Sequence, residues 1–262
     1  MKISIIGAGA MGGSLAQGLL KGETFKPSEI TVADPSQDAL QKFAETGASI
    51  TTENKVAAES GDIVAVVVKP WLVENVLNGI KDSMNYKKQI LIVIAAGISS
   101  EQINHWMKKE DGSLPPLFLV IPNIAIAVMS SMTFIVPVNA SETNIKLISE
   151  IFDELGGCLI TEERLLASGT TLASCGIAYA MRYIRASVEG GVELGFKAKD
   201  AEKIVLQTVK GAVELLQANG NHPEAEIDKV TTPGGVTIKG LNEMEHAGFT
   251  SAVIRGLKAG LK

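Results

Sequence analysis

The sequence predicts an α/β fold: a doubly wound, mostly parallel sheet followed by an all-helical C-terminal domain. Three observations point to it. Short β-branched runs alternate with helix-period segments as far as Thr161. A cluster of glycines follows the first of those runs directly. Beyond Thr161 the strand pattern stops and the rest of the chain reads as helix. Strands that are apolar throughout and separated by helices belong to a parallel sheet covered on both faces.

The elements follow in order. The strand candidates are Lys2–Ile6, Ile30–Ala33, Ile63–Val68, Ile90–Ala95, Leu117–Ile121, Thr133–Val136 and Cys158–Thr161. Between them, Met11–Leu20, Gln37–Thr46, Trp71–Ser83, Ser100–Lys109 and Glu142–Leu155 carry the helical period. In the second part, Ala178–Leu194, Ala198–Asn219 and Thr237–Ala247 do the same. Gly195, Gly220 and Gly248 stand just past their ends, where helices commonly stop. The change of pattern places a domain boundary near Thr161, dividing 1–161 from 162–262.

A chain of 262 residues can bury a sizeable core, and 46% hydrophobic with 20% charged residues is a soluble globular composition. The formal charge of −5 argues against a general nucleic-acid surface. It also means that an anionic ligand needs a local positive field. Cys158 and Cys175 make no disulfide framework and no zinc spacing, so no metal is expected. The apolar runs Ile63–Val68 and Ile90–Ala96 are too short to span a bilayer, so no membrane partner is expected. Met1–Ile6 leads straight into the glycines and reads as structure, which makes a cytoplasmic location the expectation.

Gly7-Ala8-Gly9-Ala10-Met11-Gly12 matches G-x-G-x-x-G between a strand and a helix, the context of a Rossmann dinucleotide site. Gly7 permits the tight turn, Gly9 lets the backbone approach a pyrophosphate, and Gly12 allows close helix–strand packing. Asp34 ends the second strand, where an acid accepts from a ribose 2′-hydroxyl and repels a 2′-phosphate. No Arg follows nearby, so NADH is expected over NADPH. An ordinary turn Asp before Pro35 is the alternative.

Other unusual residues fall at strand ends: Lys69-Pro70, Ala95-Ala96-Gly97 and Pro122-Asn123. In a doubly wound sheet these ends share the edge where ligands bind. Small residues there leave room for a nicotinamide ring, and Asn123 could bond its carboxamide or orient the substrate. Pro70 as a plain helix start and Lys69 as a solvated cation stay open. The expected cofactor set is therefore Gly7, Ala8, Gly9, Ala10, Met11, Gly12, Asp34, Lys69, Pro70, Ala95, Gly97 and Asn123.

The segment Val230–Leu241 breaks the helical half with Pro233, Gly234 and Gly235 among hydroxyl residues. A turn of this composition before a helix presents free N–H groups that hold a small anion. A simple turn between helices, with Thr232 as N-cap, is the alternative.

Taken together, these residues resemble the pyrroline-5-carboxylate reductase family. The resemblance runs through the glycine fingerprint, Val68-Lys69-Pro70, Ala95-Ala96-Gly97-Ile98, Pro122-Asn123, Thr170–Tyr179 and, most specifically, Val230–Leu241. It implies NAD(P)H-dependent reduction of the cyclic imine 1-pyrroline-5-carboxylate to proline. It also implies that 162–262 is a substrate-binding and dimerisation domain, in a homodimer or higher homo-oligomer. Hydride transfer to a C=N bond needs a hydrogen-bond donor at the imine nitrogen. Thr237 is the candidate donor, by resemblance and by its place beside the turn. The N–H groups of Gly234, Gly235 and Thr237 would hold the substrate carboxylate, with Thr232 assisting.

Three departures stand out. The family usually has Arg three residues before the Pro-Asn pair, where this chain has Leu119. Its Gly-Ser-Gly-Pro-Ala-Tyr run is here Ser174-Cys175-Gly176-Ile177-Ala178-Tyr179, and its Thr-Pro after the Asn is Ile124-Ala125. Two other functions stay open: a related dehydrogenase or imine reductase acting on another small carboxylate, and a catalytically silent dinucleotide-binding protein.

Overall fold

The computed structural model describes residues Met1–Leu261. They form two compact units, one of residues 1–174 and one that begins at Cys175 and runs to the end of the described residues.

The first unit is built on eight strands: β1 (Ile3–Ile6), β2 (Ile30–Ala33), β3 (Ser49–Thr51), β4 (Ile63–Val66), β5 (Ile90–Val93), β6 (Leu117–Ile121), β7 (Ser131–Val138) and β8 (Gly156–Ile160). Their order across the sheet is β3-β2-β1-β4-β5-β6-β7-β8. The chain leaves β1 toward β2 and β3, then returns to the other side with β4. That reversal is the topological switch at which open α/β sheets bind ligands. Every pairing is parallel except β6 with β7. Only residues 122–130 separate those two strands, too few for the crossover a parallel neighbour would need.

Both faces of the sheet are covered. Ile3 and Ile5 pack with Leu15, Leu19, Phe118 and Phe152 on one face; Ile6, Val64 and Val66 pack with Val73, Leu77 and Ile103 on the other. Alternate side chains of a strand point to opposite faces, so a strand buried on both must be apolar throughout. The covering helices are α1 (Ala10–Lys21), α2 (Gln37–Gln41), α3 (Asn54–Ser60), α4 (Pro70–Ile80), α5 (Ser100–Met107) and α6 (Glu142–Glu154). Three elements of this unit depart most from expectation. The segment Gln37–Thr46 stops being helical at Gln41, where the chain turns to bury Phe43 and the Thr46 hydroxyl donates to Phe43 O at 2.8 Å. β3 and α3 carry no apolar period and are not foreshadowed at all.

The pattern changes at Thr161, but the packing of the first unit continues to Ser174. Glu163 accepts from the Ser100 N–H at 2.8 Å, and α7 (Leu166–Gly169) sets Gly169 against Phe134, where a Cβ would strike the ring at 2.9 Å. These contacts hold 162–174, although helical, on the sheet unit.

The second unit contains α8 (Gly176–Glu193), α9 (Ala198–Asn219), α10 (Pro223–Val230), α11 (Val236–His246) and α12 (Phe249–Ala259). α8 packs tightly on α9, since a Cβ on Gly191 would lie 3.0 Å from that of Ala201. The Tyr183 and Phe249 rings meet edge to face at 6.3 Å. Ala201, 2% exposed, is the one fully buried residue of this unit among those described. Apolar side chains such as Leu194 (83% exposed), Met181 and Val253 stand in solvent. No helix of the described residues is long and apolar enough to cross a membrane.

Candidate active site

A cleft of about 750 Å³ opens along the carboxyl ends of β1, β2, β4, β5 and β6. The turn from β1 to α1 forms its floor. Gly7 sits at φ +108°, and a Cβ there would collide with the Val67 carbonyl. The position therefore admits only glycine. A Cβ on Gly12 would collide in turn with the Gly7 carbonyl, so α1 meets the turn backbone to backbone. Around Gly9 there is open space, with nothing within 4 Å of where its Cβ would be. The helix N-terminus lies uncovered there, and Gly9 caps it with no side-chain hydrogen bond.

Asp34 closes β2 beside this turn. Its Oδ2 accepts the Ala8 N–H at 2.7 Å and its Oδ1 accepts the Ser36 N–H at 2.9 Å. The Lys42 ammonium donates to Ala8 O at 3.2 Å, which places a positive charge against the same loop. Lys69 is exposed and precedes α4, which Pro70 opens at its first position. Pro70 therefore does start a helix, and both residues also line the cleft.

The cleft brings together Gly7, Gly9, Ala10, Met11, Asp34, Lys69, Pro70 and Ala95 from the expected cofactor set. Ala8, Gly12, Gly97 and Asn123 do not line it. Ala8 and Gly12 shape the turn from behind. Gly97 takes φ +77° just past the lining residues Ala95 and Ala96. Asn123, 7% exposed, uses its carboxamide internally: Oδ1 accepts the Ala125 N–H at 3.0 Å and Nδ2 reaches Ala173 O at 3.5 Å. It helps hold the 122–130 connection in place with one N–H and one lone pair of its amide, and it does not line the cleft.

Asn54 is a lining residue that the sequence did not reveal. Its Oδ1 is buried without a hydrogen-bond partner. A buried acceptor left unpaired is costly, so a ligand donor is the natural complement. The only trace in the sequence is a polar turn, Thr51-Thr52-Glu53-Asn54, ahead of two alanines. Thr170 and Ser174 line the same cleft from a π-helical turn, Thr170–Ser174. A dinucleotide fits these residues: an open glycine turn for a pyrophosphate, an acid at β2 for a ribose, an unpaired amide oxygen, and small residues at 95–96.

In the second unit, residues 232–235 form a tight turn. The Gly235 N–H donates to Thr232 O at 2.9 Å, and Gly234 takes φ +70°. Pro followed by a positive-φ glycine is the arrangement of a type II turn. A Cβ on Gly235 would collide with the Thr232 hydroxyl. Gly235, not Thr232, is the N-cap of α11, and no side chain caps that helix. The Gly235 N–H closes the turn and so is not offered to a ligand as expected. The first-turn donors of α11 are the N–H groups of Val236, Thr237 and Ile238, which lack intrahelical partners by geometry. Val236 is 86% exposed and Thr237 is half-buried.

Among the departures, Leu119 is 3% exposed in β6 and belongs to the core, so no charge replaces the family's Arg there. Ser174 donates to Pro122 O at 3.0 Å. Cys158 is half-buried, and burial, with Asp153 beside it, pushes its thiol up to about 11, which makes it a poor nucleophile. Among the described residues no cluster of His, Cys, Asp or Glu is arranged to hold a metal ion.

A doubly wound sheet with a glycine turn, a strand-end acid and a carboxyl-edge cleft defines a dinucleotide-binding protein of Rossmann type. Comparison with known proteins narrows the class. Residues 163–262 match the model described as pyrroline-5-carboxylate reductase dimerisation, and residues 2–97 match that described as NADP oxidoreductase coenzyme F420-dependent. Pyrroline-5-carboxylate reductase 1 of Dictyostelium discoideum is 37% identical over 97% of this chain, although the chain spans only 48% of that relative. Pyrroline-5-carboxylate reductase 2 of the same organism is 35% identical, with 97% of this chain and 89% of the relative aligned. The crystal structure of Plasmodium falciparum pyrroline carboxylate reductase with NADP bound superposes with a TM-score of 0.90 at 26% identity, covering 100% of this chain and 95% of that one. The chain belongs to the pyrroline-5-carboxylate reductase family.

Proposed function

We propose that this protein reduces 1-pyrroline-5-carboxylate to proline, using a nicotinamide dinucleotide held in the cleft of the first unit. The bound dihydronicotinamide supplies the hydride, chemistry that no protein side chain offers. Gly7, Gly9, Ala10 and Met11 hold its pyrophosphate at the start of α1, and Asp34 and Asn54 bind its adenosine side. Asp34 makes NADH the preferred form, because a 2′-phosphate would meet its carboxylate.

The uncapped start of α11 carries the substrate side of the proposal. Its free N–H groups, with Thr232 alongside, take the substrate carboxylate, and the helix dipole favours the negative charge. Thr237 places its hydroxyl at the imine nitrogen. As hydride adds to the ring carbon, the C=N electron pair moves to nitrogen and the hydroxyl supports the basic centre that develops.

We further infer that the protein works as a homodimer or larger homo-oligomer, outside membranes and in the cytoplasm. The matched dimerisation region and the exposed apolar side chains of α8, α9 and α12 support assembly between copies.

One assay tests the whole. Purified protein with 1-pyrroline-5-carboxylate should oxidise NADH, and NADPH more slowly, as followed by loss of dihydronicotinamide absorbance. Nucleotide binding without turnover of this substrate would overturn the assignment and favour another small imine carboxylate.

A further inference from the structure

Two hydroxyls on the cleft wall have no part in the chemistry described so far. Thr170 and Ser174 are the first and last residues of the π-helical turn Thr170–Ser174, and both line the cleft. Such turns concentrate at functional sites. Ala95, Ala96 and Pro122 line it as well. These residues lie beyond β4, on the opposite side of β1 from Asp34. If Asp34 marks the adenosine side, this end receives the nicotinamide.

Both hydroxyls have already committed their protons. Thr170 Oγ1 donates to Leu166 O at 2.7 Å and Ser174 Oγ donates to Pro122 O at 3.0 Å. A hydroxyl has one proton and two acceptor lone pairs, so what each has left is acceptor capacity. Two neighbouring hydroxyls left with acceptor capacity alone favour a ligand carrying N–H. Ser174 stands where the family pattern has Gly, which makes its oxygen an addition of this chain.

We propose that Thr170 and Ser174 form an acceptor pair that binds the carboxamide NH2 of the nicotinamide ring, with Ser174 a positioning residue particular to this chain. This rests on the dinucleotide site proposed above. The NH2 group donates to the two oxygens and fixes the rotation of the carboxamide, and with it the ring face turned to the substrate. A protonated imine also carries an N–H, so the decisive measurement omits the substrate.

Titration calorimetry of the intact protein, with substrate absent, would compare three reduced dinucleotides: NADH, its thionicotinamide analogue and its 3-acetylpyridine analogue. The first two keep the NH2 and the third has a methyl in its place. Wild type should bind the acetylpyridine form about 25-fold more weakly than NADH, the worth of two net hydrogen bonds, and the thionicotinamide form nearly as well as NADH. In Ser174→Ala, which keeps the bond to Thr170, that discrimination should fall to about fivefold, the worth of one net hydrogen bond. Ser174→Gly, which restores the family residue, should behave alike and guards against a folding defect in the first variant. The proposal is overturned by equal binding of NADH and the acetylpyridine form to wild type. It is equally overturned by discrimination that neither substitution reduces, or by a loss common to all three ligands. Failure of wild type to bind any of them would instead remove the dinucleotide site itself.

Discussion

Asp34 is tied to Ala8: its Oδ2 accepts the Ala8 N–H at 2.7 Å, inside the glycine turn. Strand end and turn are thereby joined, and the carboxylate is held beside the place proposed for the ribose. Substitution of Asp34 by Ser should raise the ratio of kcat/KM for NADPH to that for NADH by about tenfold or more, the equivalent of one charge repulsion removed. Steady-state kinetics with both nucleotides gives the answer, and an unchanged ratio would leave Asp34 as a structural residue only.

Thr237 is the second position with a sharp expectation. Thr237→Ala should lower kcat by about a hundredfold or more, the usual worth of a positioned proton donor. Dissociation constants for the nucleotide should stay within about twofold, smaller than the effect of one net hydrogen bond. Thr237→Ser, which keeps the hydroxyl, should recover most of the rate. Full activity in the Ala variant would assign the donor elsewhere.

Glu154 offers a test of stability. It accepts from the main-chain N–H groups of Glu23 and Thr24, fastening the end of α6 to the chain after α1. Partial burial raises its pKa, but the hydrogen bonds from Thr24 and Glu23 outweigh that, and the carboxyl lies below its ordinary value of 4.5. A carboxyl depressed on folding stabilises fully above the unfolded value, and the stabilisation fades as pH falls through the folded one. Glu154→Gln should therefore cost stability at pH 7, by no more than about 1 kcal/mol because solvent screens the group. The gap from wild type should narrow below pH 4.5. Urea melts at both pH values would show it, and a gap independent of pH would mean that the carboxylate charge is irrelevant.

Much of this molecule is legible in its sequence, for identifiable reasons. β2, β6 and α9 fall on the predicted residues, because β-branched runs and an unbroken helical period leave no competing pattern. The turn at Gly7 is equally legible, since its steric demand admits one residue type. β3 was invisible: it is three residues long, and edge strands need no apolar run. Asn54 went unseen with it, as nothing in a polar turn announces a buried, unpaired oxygen. Asn123 misled in the opposite way. Its place at a strand end suggested a ligand contact, but the residue lies outside the cleft lining, bonded to the Ala125 N–H and to Ala173 O. Gly235 likewise carries a conformational and steric role where a donor was expected. Sequence shows which group is present, but partners distant in the chain decide whether it is free.

The near absence of buried residues in the helical unit bears on how the chain matures. Burial is what offsets the conformational entropy of ordering a chain, and five helices that bury little beyond Ala201 have almost none to offer. The sheet unit, with an apolar layer on each face, can become native as it leaves the ribosome. The helices must wait for further apolar surface, and if a second chain supplies it, their ordering becomes a bimolecular event. Heat or denaturant resistance would then climb with protein concentration, and dilution alone would loosen the half that carries Thr237.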